Sequence, residues 1–143
     1  MTRFNLAVFF LLIPLSTGAD EHPTLLLSVG AATLQVEIAA TPRQHEQGLM
    51  TRTHLDEDAG MLFIFERKSG YCFWMKDTLI PLSVAFLDDD GRIVNLADMQ
   101  AMSTALHCPG TAVRYALEVN QGWFARQRIQ AGMRVNGLPP GIK

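Results

Sequence analysis

Residues 81–96 read "PLSVAFLDDDGRIVNL", and this stretch decides the fold class. Two apolar runs flank a short acidic turn. Asp90-Gly91 is a pair that readily adopts the backbone of a tight hairpin bend, because glycine takes positive φ without steric cost. The runs on either side are short and rich in branched side chains, which suits a pleated sheet. The stretch therefore predicts two antiparallel strands, over 81–88 and 92–96.

Working outward, the same pattern recurs. Upstream, "YCFWMK" (71–76) and "MLFIF" (61–65) read as further strands, since five apolar residues are too few for a helix. "ERKSG" (66–70) and "LDEDAG" (55–60) read as turns. "LLLSV" (25–29) and the alternating "LQVEIA" (34–39) form a hairpin across Gly30-Ala31-Ala32. Between them and 61–65 lies "TPRQHEQGLM" (41–50), a short helix. Thr41 is its N-cap, Pro42 its first residue and Gln44 the far side of a capping box, and Gly48 is its stop. Downstream, residues 97–111 lack any period and contain Pro109-Gly110, so a long loop is expected. "AVRYALEV" (112–119) predicts a central strand, 120–132 a short helix capped by Asn120, and "MRV" (133–135) a last strand. The chain is thus mainly β, a compact small barrel or sandwich with one or two short helices. Nothing resembles alternating βαβ units or a phosphate-cradling glycine loop.

The 143 residues have room for one domain. Hydrophobic residues make up 48%, enough for a core, and charged residues only 18% with a formal net charge of −2. No Lys/Arg block marks a nucleic-acid or anionic-membrane surface. Residues 1–19 look like a secretory leader: Arg3, an apolar run over 4–15, then small residues Thr17 and Ala19. That run is short for a transmembrane span, which takes about 20 residues; a retained anchor is the alternative. Cleavage after Ala19 removes 19 of the 143 residues and leaves 124, numbered 20–143, as a single domain. It removes one arginine and no acid, which moves the charge from −2 to −3. A periplasmic or secreted monomer, not inserted in the membrane, is the expectation. In that setting two cysteines, Cys72 and Cys108, read as one disulfide. They are not CxxC, and with four histidines they give no zinc spacing.

Three phrases then carry a family resemblance: "QGLMTRTHLDEDAGMLFIF" (47–65), "FWMKDTLIPLSVAFLDDDGRIV" (73–94) and "VRYALEVNQGWF" (113–124). In this order and spacing the chain resembles the bacterial and archaeal family called domain of unknown function 192. The resemblance implies a small, mainly β domain of barrel or jelly-roll type, often exported. It implies no activity and no catalytic residue. The family phrase at Lys76 usually reads Trp-Met-Lys-Asn-Thr, whereas Asp77 stands in the Asn position here. A carboxylate accepts hydrogen bonds where an amide both donates and accepts.

The polar residues that interrupt apolar phrases are Arg52, Lys76, Asp77, Thr78, Arg114 and Glu118, and the candidate site is Arg52, Trp74, Lys76, Asp77, Thr78 and Glu118. Converging at one end of a barrel, they would form a small ligand pocket. The structural alternative makes Lys76-Asp77 a tight bend before Pro81 and pairs Arg52 with Glu118, since a buried charge needs a partner. Trp74, Trp123 and the phenylalanines are expected in the core. The leading functional reading is non-enzymatic binding of a small molecule or an envelope protein, with no cofactor. A second is an envelope hydrolase using Asp77, Lys76 or Glu118 as acid and base. A third is copper handling by Met99, Met102 and His107 in the long loop, because thioethers suit Cu(I). Ser28, Ser69, Ser83 and Ser103 lie in no nucleophile motif.

Overall fold

Seven strands share one sheet in the computed structural model, which describes residues 22–140. Residues 1–19, read above as a leader, lie outside the described residues. The elements are β1 (Thr24–Val29), β2 (Ala32–Ala39), α1 (Pro42–Gln47), β3 (Ala59–Ser69), β4 (Leu82–Leu87), β5 (Ile93–Met99), β6 (Val113–Asn120), α2 (Trp123–Arg126) and β7 (Val135–Asn136). Their order across the sheet is β5-β4-β6-β3-β2-β1-β7. Neighbours are antiparallel except β2 and β3, which run parallel. The path β2–α1–β3 is therefore one βαβ crossover, which corrects the expectation that no such unit is present.

The sheet curls into a half-barrel whose edge strands meet at one end. Ile93 N donates to Met133 O at 2.9 Å, and Val135 N to Gly91 O at 2.8 Å. The acidic hairpin makes this closure possible. Gly91 has φ 77°, and a Cβ there would stand 2.6 Å from Val135 O, so both backbone shape and close approach require glycine. Asp88 organises the bend, its carboxylate accepting from Asp90 N and Arg92 N at 2.9 Å each.

Alternation along each strand sends one set of side chains inward and the other outward. Leu27, Val36, Leu62, Ala85, Leu117 and Trp123 belong to the inner core. Full burial of one such large apolar side chain contributes roughly 1.5–3 kcal/mol. Trp123 of α2 is fully buried, and its indole N–H donates to Asp58 Oδ1 at 2.9 Å. The opposite face carries a second core that includes Met61, Phe63, Val84, Phe86 and Ala116.

Several expectations are corrected. Residues 66–69 are strand, not turn: β3 continues through the exposed Glu66, Arg67 and Lys68 to pair Ser69 with Val113 across an irregularity. Charge suggested a turn there, yet the neighbouring strand supplies the pairing. Residues 71–76 are not a sheet strand. Residues 73–76 do alternate inward and outward, but the hydrogen-bond partner of this run is the 100–108 segment. α2 has Gly122 as its N-cap; the Asn120 amide instead donates to the carbonyls of Leu55 and Asp56 at 2.9 and 3.0 Å. The helix at 42–47 does carry the expected capping box between Thr41 and Gln44.

Candidate ligand cleft

The outer face of β6 holds one side chain that its neighbours do not explain. Ala116 lies in the outer core, and Glu118, two residues on, points the same way. Across the sheet Glu118 faces Met61 on β3 and Val84 on β4. It is 4% exposed. Among the described residues no hydrogen bond or ion pair reaches its carboxyl. Burial without a partner penalises the charged form, so the Glu118 pKa is pushed up to about 8 from an ordinary 4.5.

Two irregular segments roof this face. Cys72 and Cys108 are joined, with sulfurs 2.05 Å apart, as the sequence predicts. Next to the bond, Phe73 N donates to His107 O at 2.7 Å and His107 N to Phe73 O at 2.8 Å. The pairing then slips: Met75 N meets Ser103 O at 2.9 Å, where a continuing ladder would present Ala105. The slip is why the aromatic run fails to form a strand.

The Lys76-Asp77 interruption is a turn in this roof. Thr78 N donates back to Met75 O at 3.1 Å, and Asp77 O accepts from Thr51 N at 2.9 Å. Asp77 has φ 55°, a region where Asn and Asp are the best tolerated side chains after glycine. The Asn of the resembling phrase and the Asp here thus meet one backbone requirement, for which hydrogen-bond donation is immaterial. Asp77→Asn is expected to change stability by less than about 0.5 kcal/mol, and Asp77→Val to cost roughly 1–3 kcal/mol. Urea unfolding checks both, and a silent Asp77→Val contradicts the account.

Between roof, α1 and β3 lies a cleft of about 710 Å³, lined by residues that include His45, Phe63, Phe65, Phe73, Trp74 and Glu118. Phe63 and Phe73 meet edge to face at 4.9 Å, and Phe65 stacks on Tyr71 at 5.8 Å. Trp74 is 45% exposed, so its expected place in the core is corrected; Trp123 alone of the two tryptophans is buried. His45 is fixed by its Nε2, within 3.0 Å of Ala39 O and 3.1 Å of Ile64 O.

Of the six predicted site residues, Trp74, Thr78 and Glu118 line the cleft. Lys76 and Asp77 are exposed and outside its lining. Lys76 lies over the Trp74 ring, its Nζ 5.4 Å from the centroid. Arg52 is elsewhere, and its predicted pairing with Glu118 is overturned. The parallel crossover returns residue 52 to β2, where its guanidinium grips both carboxylate oxygens of Glu37. Those hydrogen bonds hold the Glu37 carboxyl below its ordinary range. The two side chains are 34% and 25% exposed, so Arg52→Ala is expected to cost about 1 kcal/mol rather than the 3–5 kcal/mol of a buried pair. Chemical denaturation distinguishes these values. Of the copper candidates, Met99 is fully buried in the outer core, Met102 is exposed and His107 belongs to the roof pairing. Among the described residues no three His, Cys, Asp or Glu side chains gather as a metal-binding group.

Sequence reasoning missed His45, Phe65 and Tyr71 as cleft residues. His45 sits on a six-residue helix with no buried position, and Phe65 reads as ordinary strand core. Only the crossover and the roof bring them into the cleft that Glu118 also lines.

A family model described as uncharacterized ACR, DUF192, matches residues 25–137. A protein of Sinorhizobium meliloti 1021, described as a candidate transcription regulator, is similar in structure with a TM-score of 0.81 and 33% identity, over 84% of this chain and 98% of that one. A protein of unknown function from Novosphingobium aromaticivorans DSM 12444 is similar with a TM-score of 0.78 and 28% identity, over 91% of this chain and 94% of that one. No curated protein matches the chain.

Proposed function

The chain belongs to the DUF192 family, and on that premise we propose that this member is an exported, non-enzymatic domain whose cleft binds a small organic molecule. One observation carries the reading: Glu118, a side chain only 4% exposed and without a partner among the described residues, lines an aromatic-walled cleft of about 710 Å³. A site of this size, apolar except for a few fixed polar groups, is the usual form of a small-molecule pocket. The carboxyl that burial leaves unmatched gives such a molecule a polar anchor. Export is supported by the leader-like residues 1–19 and by the Cys72–Cys108 bond, of a kind that persists in oxidising compartments.

The hydrolase reading is weaker, because Lys76 and Asp77 stand outside the cleft and leave Glu118 without a second acid or base from that set. The regulator description of the Sinorhizobium meliloti protein finds no support in this chain's charge, which is −2 with no basic block.

Native mass spectrometry of protein recovered from a bacterial envelope tests the proposal. A small molecule released on denaturation is expected from the parent, with retention at least about tenfold lower in Trp74→Ala, which removes a wall of the cleft. Equal retention by the two proteins, or none by the parent, contradicts it.

A further inference from the structure

We propose that the cleft takes an organic cation, an ammonium carried on an apolar body, with the ammonium against the Glu118 carboxyl and the body among the aromatic walls. The inference rests on the reading of the cleft as a ligand site and names the chemical class of its ligand.

Three observations carry it. First, Glu118 is buried and has no partner among the described residues, so what the cleft lacks is a donor or a positive charge. Second, five aromatic side chains line the cleft, those of Phe63, Phe65, Tyr71, Phe73 and Trp74. Ring faces attract cations and offer an anion nothing. Trp74 already holds one ammonium of the protein's own, that of Lys76 at 5.4 Å from its centroid. Third, the cationic side chains lining the cleft, Arg67 and Lys68, are exposed at its rim. Lys68 is engaged with Asp89 at 2.9 Å. No cation competes for Glu118 among the described residues.

The proton balance follows. In the ligand-free protein burial favours the protonated carboxyl, whose pKa is pushed up to about 8. An arriving ammonium brings its own positive charge, so the carboxyl ionises and its proton leaves to solvent, and each binding event releases up to one proton. The other ionisable groups of the cleft are His45 and Glu46 on α1, Glu66, Arg67 and Lys68 on β3, and Tyr71 on the roof. The strands flanking Glu118 present Met61 and Val84 to it.

Isothermal titration calorimetry with 2-phenylethylammonium and with uncharged 2-phenylethanol, in two buffers of different ionisation enthalpy at pH 7, tests the inference. The ammonium is expected to bind at least tenfold more tightly than the alcohol and to release close to one proton. Glu118→Gln should remove the proton release and at least tenfold of the affinity, which separates Glu118 from the other ionisable groups. Equal affinity for the two probes overturns the cation inference and leaves the cleft a ligand site. So does ammonium binding whose proton release survives in Glu118→Gln. Binding of neither probe also overturns it, while the cleft reading itself falls on the mass spectrometry, through equal retention by parent and Trp74→Ala or none by the parent.

Discussion

Glu118→Gln is expected to stabilise the ligand-free domain at pH 7 by about 3 kcal/mol, taking each unit of pKa displacement as about 1.4 kcal/mol. Substituting a buried acid usually destabilises, so the direction is informative. Unfolded, the carboxyl titrates at an ordinary 4.5, and folded at about 8. Below pH 4.5 it is protonated in both states and costs nothing extra. Between pH 4.5 and 8 the unfolded chain surrenders the proton while the folded one keeps it, so unfolding gains and stability falls as pH rises. Above pH 8 the charge is present in both states, and the loss levels off at roughly 5 kcal/mol. Glutamine is nearly the same shape, is never charged, and escapes the whole loss. Urea unfolding of both proteins at pH 5, 7 and 9 should show a difference that is small at pH 5 and grows at each step. A variant weaker than the parent by the same amount at every pH would mean that the carboxyl has a partner.

Opening the Cys72–Cys108 bond has the next largest expected effect, a loss of about 4 kcal/mol. The bond closes a loop with a sequence separation of 36 residues, and the chain-entropy argument assigns a ring of that size roughly this restriction of the unfolded chain. For a domain whose total stability is on the order of 5–15 kcal/mol, the share is large. The bond also fastens both segments of the roof. Without it, the 100–108 segment is held chiefly by the Phe73–His107 pair and by the bonds at Met75 and Met102. Cys72→Ser/Cys108→Ser should therefore unfold at lower urea than the oxidised parent and lose the reductant sensitivity that the parent shows. Identical midpoints for oxidised and reduced parent would contradict this.

Much of the fold was legible because its signals are local. The Asp90-Gly91 bend, the Thr41–Gln44 capping box and the alternation in 34–39 each depend on a few adjacent residues, and each appears in the structure. What escaped notice depends on partners distant in sequence. The Phe73 run alternates as a strand does, yet the sheet edge at β5 is not where it pairs. Glu66, Arg67 and Lys68 look like a turn, yet β3 runs through them because β6 lies alongside. The site was half legible for the same reason. Glu118 inside "VRYALEV" marked itself as an acid in a buried phrase, and Trp74 and Thr78 fell near it. Its expected partner was wrong because Glu37 reads as the solvated face of an amphipathic strand. Nothing local shows that the crossover returns Arg52 to that strand. Lys76 and Asp77 drew notice by their charge, whereas their place is set by the positive φ at Asp77.

Everything proposed for the cleft depends on Glu118, buried there without a partner among the described residues. Carbon-13 NMR of the protein labelled at glutamate Cδ, with Glu118 assigned by its absence from Glu118→Gln, reads that carboxyl directly. The account predicts a titration midpoint near pH 8 in the ligand-free protein. A midpoint near 4.5 would place Glu118 against solvent or an unseen cation and contradict it.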